Sequence, residues 1–82
     1  MYFTDHDKQY QLTLAREVPR EGMGMELALG GETKVLAEVF YSDAAREFSI
    51  SLFEENLSLS VIEQLIGMAK IALVPSVKLH DR

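Results

Sequence analysis

From Lys8 to Leu52 apolar residues fall at every second position in run after run, and the connections between runs are too short to carry a crossover. Tyr10, Leu12, Leu14 and Val18 alternate with Gln9, Gln11, Thr13 and Glu17. Met23, Met25, Leu27 and Leu29 alternate with Gly24, Glu26, Ala28 and Gly30, and Phe48, Ile50 and Leu52 alternate with Glu47, Ser49 and Ser51. A period of two is the mark of a strand with one wet face. Pro19-Arg20-Glu21-Gly22, Gly30-Gly31 and Ser42-Asp43-Ala44-Ala45-Arg46 supply the turns. Parallel neighbours need a crossover of about a dozen residues or more, so the pattern predicts an antiparallel meander. Met1 to Thr4, followed by Asp5-His6-Asp7 as a turn, adds a short first strand. The sheet therefore has four or five strands.

The run from Thr33 to Tyr41 departs from simple alternation. Val35, Ala37, Val39 and Tyr41 share one face, but Leu36 and Phe40 stand on the other beside Lys34 and Glu38. A strand that is apolar on both faces is central or covered twice.

After Glu54-Glu55-Asn56 the period changes. SVIEQLIGMAKIALV, residues 60–74, reads as a helix. It starts either at Ser60, with Glu63 completing a capping box, or at Ser58, with Leu57 and Ile62 as a hydrophobic staple. Pro75 ends it, because the residue before a proline is pushed out of helical geometry. At about 100° per residue its apolar side chains spread over roughly 180°, wider than the stripe of about 100° or somewhat more that a helix on a sheet needs. Gly67, Ile71 and Val74 form a second, narrower stripe on the far side. A mid-helix glycine is worth about 1 kcal/mol less than alanine, and close approach of another backbone is one compensating gain. Cover by the C-terminal tail, or plain exposure, explains the stripe equally well. The expected fold is α+β: a four- or five-stranded antiparallel meander followed by one C-terminal helix packed on one face, with residues 1–82 forming a single domain.

Size sharpens the question of what covers the surplus. At 82 residues the chain is close to the length below which a single core seldom supplies more than about 3–5 kcal/mol, where small proteins lean on disulfides, metals or oligomerisation. There is no cysteine, and the only histidines, His6 and His80, lie near opposite ends. No metal or cofactor is expected from that set. Oligomerisation is the support left. Leu36 and Phe40 on the outer sheet face, with Gly67, Ile71 and Val74 on the helix, are the candidate interface residues of a homodimer.

Charge and hydropathy exclude other partners. Hydrophobic residues make up 48% and charged residues 26% of the chain, as in a folded globular domain and unlike a disordered one. The net charge is −5, and the eight basic residues are scattered from Lys8 to Arg82, so a nucleic acid is not an expected partner. No apolar run approaches the roughly 20 residues of a membrane span, and MYFTDHDKQY lacks the basic start and apolar core of a secretion signal. The expectation is a cytoplasmic protein with no membrane partner.

No catalytic constellation emerges. Asp5-His6-Asp7 has the composition of a metal site or an oriented base, but adjacent residues seldom point at one atom, and a solvated turn explains it better. Ser49 and Ser51 sit at outward strand positions without a strained nucleophile turn. Gly22-Met23-Gly24 and Gly30-Gly31 lack the strand-loop-helix setting of a phosphate loop and read as turn residues. Glu54 and Glu55 suit the positive end of the helix dipole, and Glu26, Glu38 and Glu47 read as solvated. Met23, Met25 and Met68 read as core fillers more readily than as an adaptable binding surface. The leading reading is a small acidic protein–protein interaction module acting as a homodimer, not an enzyme. Two others remain open. One is an inhibitor or immunity-type protein that neutralises a basic enzyme. The other is a ligand binder or enzyme with a site between subunits, lined by residues such as His6, Tyr10 or Tyr41.

Overall fold

The computed structural model describes residues 1–17 and 19–73. Five strands, β1 (Tyr2–Asp5), β2 (Lys8–Glu17), β3 (Gly22–Leu29), β4 (Ala37–Ser42) and β5 (Glu47–Leu52), precede one helix, α1 (Leu59–Ala72). The strands lie in chain order and every neighbouring pair is antiparallel. The α+β meander expected from the alternation is the fold observed, with its five-strand count and the helix packed on one face.

Turn chemistry sets the register. His6 and Asp7 both adopt positive φ, 49° and 64°, which lets the two-residue β1–β2 turn follow the right-handed twist of its strands. Register then places Tyr10 opposite Leu29, Leu12 opposite Leu27 and Met25 opposite Val39. These residues face α1, and with Ala37 and Tyr41 they meet Val61, Leu65, Ala69 and Leu73 in one buried cluster. Met25, Leu27, Val61 and Leu65 are its best-sealed large side chains. The methionine assignment splits: Met25 is fully buried, while Met23 and Met68 pack at the margin of the cluster.

One residue changes sides. Leu36, placed by strict alternation on the outer face, is buried in the same cluster as Ala37, Val39 and Tyr41. Its N–H donates to Leu27 O at 2.7 Å, while Ala37 is the residue paired with Leu27. Two residues against one is the count of a β-bulge, and it turns consecutive side chains to the same side. Residues 32–36 are accordingly not strand, and β4 begins at Ala37 rather than at Thr33.

The helix starts by the Ser58 route. Ser58 is the N-cap, although its hydroxyl makes no cap hydrogen bond and lies 2.8 Å from that of Ser60. Ser60 is inside the helix, and its hydroxyl donates to Oδ2 of Asp5 at 2.9 Å. The carboxylate that meets the first turn therefore comes from β1, since α1 has no acidic residue there. Glu54, expected at that position, instead accepts from Lys34 Nζ at 3.1 Å. The helix closes at Ala72 with Leu73 N–H donating to Ala69 O, ahead of Val74 and Pro75, which lie outside the described residues.

On the outer face of the sheet, the part over β3 and β4 is buried with no second layer among the described residues. Gly22 and Gly24 are strand residues there, not turn residues, and Phe40 and Glu38 lie flat across them. A Cβ on Gly22 would collide with the Tyr41 carbonyl and stand 2.5 Å from Cζ of Phe40. Arg20 closes the arrangement: its guanidinium sits 4.0 Å from the centre of the Phe40 ring, and Nη2 donates to Oε2 of Glu38 at 2.8 Å. Glu38 is thus 7% exposed rather than solvated, and Phe40 is 8% exposed.

Gly22→Ala should destabilise the fold by about 1–3 kcal/mol, since backbone as well as Phe40 must move. Gly24→Ala should cost less, because the added carbon meets only the flexible end of Glu38, 2.6 Å away. Arg20→Ala should cost about 1–3 kcal/mol by leaving a buried carboxylate short of a donor. Arg16→Ala, which breaks a pair with Asp43 exposed on both sides, should change stability by less than about 0.5 kcal/mol. Urea midpoints at unchanged m-value check all four.

Candidate interaction surface

A single α-helix with its side chains is about 10–12 Å wide, and strands are spaced about 4.8 Å apart, so α1 covers little more than two of them. It seats over β3 and β4. On one flank the overhang is modest. β1 has four residues, Phe3 stacks on Tyr10 with ring centres 5.3 Å apart, and Gln64 and Ser60 reach Asp5. The other flank is open.

All six residues of β5 are exposed, although Phe48, Ile50 and Leu52 turn toward the helix side. Their partners in register are Tyr41, Val39 and Ala37, all core residues. Phe48 is 38% exposed, Ile50 41% and Leu52 54%, because the helix that covers their partners does not extend over them. A recess of about 280 Å³ between β5 and the helix is lined by Val39, Phe48, Ile50 and Ile66 with Ser49 and Lys70. A second recess along the same flank is lined by Leu52, Phe53, Leu57 and Ile62 among others. Leu59 and Phe53, both well exposed, extend this strip to the start of the helix.

The strand also presents its backbone. Phe53 N–H donates to Leu36 O at 2.9 Å, which marks the odd-numbered residues of this segment as those bonded to β4. By the alternation of an antiparallel ladder, the N–H and C=O groups of Phe48, Ile50 and Leu52 point away from β4, to an edge where no described strand pairs with them. Proteins commonly blunt such an edge with proline, lysine, a bulge or extreme shortness. EFSISL has only Glu47, at its first position.

The five residues expected at an interface separate into three groups. Leu36 and Phe40 are buried within the chain, in the core and under Arg20 respectively. Gly67 and Ile71 are exposed, Ile71 by 75%, and nothing lies within 4 Å of where a Gly67 side chain would begin. Val74 lies outside the described residues. Sequence reasoning missed Phe48, Ile50, Leu52, Phe53, Leu59 and Ile66 as surface, since their periodicity is that of buried residues. The available signal was topological: the last strand of a meander is an edge.

The polar candidates do not converge. His6 is exposed in the β1–β2 turn with Nδ1 2.7 Å from Asp5 Oδ1, and His80 lies outside the described residues. His6 and Tyr10 share an open cleft of about 350 Å³ with Lys8, Lys34 and Glu54, whereas Tyr41 packs against Phe48 at 4.9 Å on another strand. Among the described residues no group of three or more His, Asp or Glu side chains is placed to hold a metal ion. None of the described helices is long and apolar enough to cross a membrane. No protein family, curated protein or solved structure matches this chain.

Because no described residue occupies the space beside Gly67, Gly67→Ala should raise the stability of the isolated chain by about 1 kcal/mol through helix propensity alone. A thermal or urea melt at low micromolar concentration reads this directly. A loss of stability there would mean that a neighbouring backbone uses the gap.

Proposed function

We propose that the chain is a small, acidic, non-enzymatic protein–protein interaction module of the cytoplasm that acts as a homodimer, with β5 and the adjoining flank of α1 as its working surface. One observation carries the reading: three large apolar residues of an edge strand face the covered side of the sheet and are left 38–54% exposed beside backbone groups that no described residue pairs. An added strand satisfies those groups while its side chains extend the apolar strip, which is the physical basis of recognition by strand addition. An exposed apolar strip of this kind is a liability unless it is used. A chain without cysteine is compatible with a reducing compartment, which supports the cytoplasmic reading. The scattered placement of His6, Tyr10 and Tyr41, which share no enclosed site among the described residues, supports a non-enzymatic reading.

Affinity capture from the native host, at low and at high salt, tests the reading against Ile50→Lys. Wild-type chain should retain its partner at both salts, because apolar and main-chain contacts are weakly screened, and Ile50→Lys should lose it. A partner that dissociates at high salt and ignores Ile50→Lys would instead support an acidic inhibitor steered by charge.

A further inference from the structure

We infer that the occupant of the β5 edge is a second copy of this chain, paired antiparallel about a two-fold axis through Ile50. This rests on the proposal that β5 is the working surface and names what sits there.

Parity limits the register. A second copy whose helix lies on the same side of a continuous sheet must set even-numbered β5 residues against even-numbered ones, because alternate side chains face opposite sides. In the centred register Ile50 stands opposite its own copy, Phe48 opposite Leu52 of the second chain, and Ser49 opposite Ser51. The residues facing each other are all apolar on the helix side and all hydroxyl-bearing between them on the other. Glu47, the one charge in the strand, is opposite Phe53 rather than another Glu47, so no like charges are opposed.

Hydrogen bonding favours the centred register among those parity allows. Phe48, Ile50 and Leu52 are the residues whose N–H and C=O face outward, and centred on Ile50 all three become bonded pairs of the new ladder, with about six inter-chain bonds against about four after a shift of two residues. A shift by one residue would put Ile50 against a serine and turn one helix to the opposite face. The other edge offers less: Leu12 N–H donates to Met1 O, so by the same alternation β1 presents only Tyr2 and Thr4 outward.

The apolar surface available is of the right size. Phe48, Ile50, Leu52, Leu59 and Ile66, at their observed exposures, leave roughly 450 Å² of residue surface on this flank. A standard interface buries about 800 Å² per partner, a little over half of it apolar. A second copy brings an identical strip along the same seam, whereas a soluble polar strand would satisfy the backbone and leave the strip wet.

Light scattering and sedimentation of the full chain from low to high micromolar concentration should give twice the 9.2 kDa mass of one chain. Ile50→Lys should give the single mass with an unchanged far-ultraviolet spectrum, and Ile71→Glu, on the other flank of α1, should keep the dimer. The chain has no cysteine, so single replacements read the register. Ile50→Cys should cross-link to its copy through a short bifunctional thiol reagent, since bonded pairs place Cα atoms about 5.5 Å apart. Phe48→Cys should not, because the two copies of residue 48 stand about 13 Å apart in this register. Strict monomer at all concentrations overturns the inference, as does a dimer split by Ile71→Glu, or one in which Phe48→Cys cross-links as readily as Ile50→Cys. If the monomer still captures a partner that Ile50→Lys abolishes, the binding surface stands and only the second copy is wrong. If Ile50→Lys changes neither mass nor capture, both readings fall.

Discussion

A helix about 10 Å wide cannot cover five strands spaced about 4.8 Å apart, and the rest of this molecule follows from that mismatch. A larger protein adds a second helix or curls the sheet. This chain spends its one helix over β3 and β4, where Met25, Leu27, Ala37 and Val39 are sealed against Val61, Leu65 and Ala69. The strands at either side then meet different fates. On the β1 side polar contacts from Asp5 to Ser60 and Gln64 complete the edge of the core. On the β5 side Phe48, Ile50 and Leu52 keep a core pattern but stay partly exposed, beyond the reach of the helix.

The outer face solves a related shortage differently. No second layer of described residues covers it, yet Phe40, Glu38, Gly22 and Gly24 are buried there. Glycines at alternate positions of β3 lower the floor, two β4 side chains lie down on it, and Arg20 from the preceding turn roofs them by stacking on the ring and bonding the carboxylate. Arginine suits this position because its flat guanidinium can face an aromatic ring while donating in its own plane. The arrangement is intramolecular, so the apolar content of β4 that looks like interface in the sequence is consumed locally.

What the sequence could show divides along the same line. Period-two alternation and turn chemistry are local, and they predicted the strands, their antiparallel order and the helix. Leu36 was misplaced because a bulge shifts the phase of alternation by one residue, and the leucine carries no mark of it. Glu38 was read as solvated because its burial depends on two glycines in a neighbouring strand and an arginine eighteen positions away. The exposure of Phe48, Ile50 and Leu52 was hidden most deeply. Their spacing is that of core residues, and only the order of strands together with the width of the helix leaves them uncovered. Periodicity reports which way a side chain faces, not whether anything meets it there.

Two apolar surfaces on α1 must therefore be kept apart. Ile66 borders the recess beside β5, whereas Gln64, which reaches Asp5 on β1, marks the opposite flank, and at 100° per residue Ile71 falls within about 20° of Gln64. One neighbour lying along β5 would cover Ile66 and leave Ile71 in water. Exposure of Ile71 and Gly67 thus carries no weight for pairing at the β5 edge, and a single exposed isoleucine on a helix is ordinary for a protein surface. The strip on β5 differs in kind, because apolar side chains and unpaired main-chain groups coincide on the same three residues. Side-chain exposure alone could be lessened by a small rotation of the helix; a row of outward N–H and C=O groups is answered only by water or by another strand.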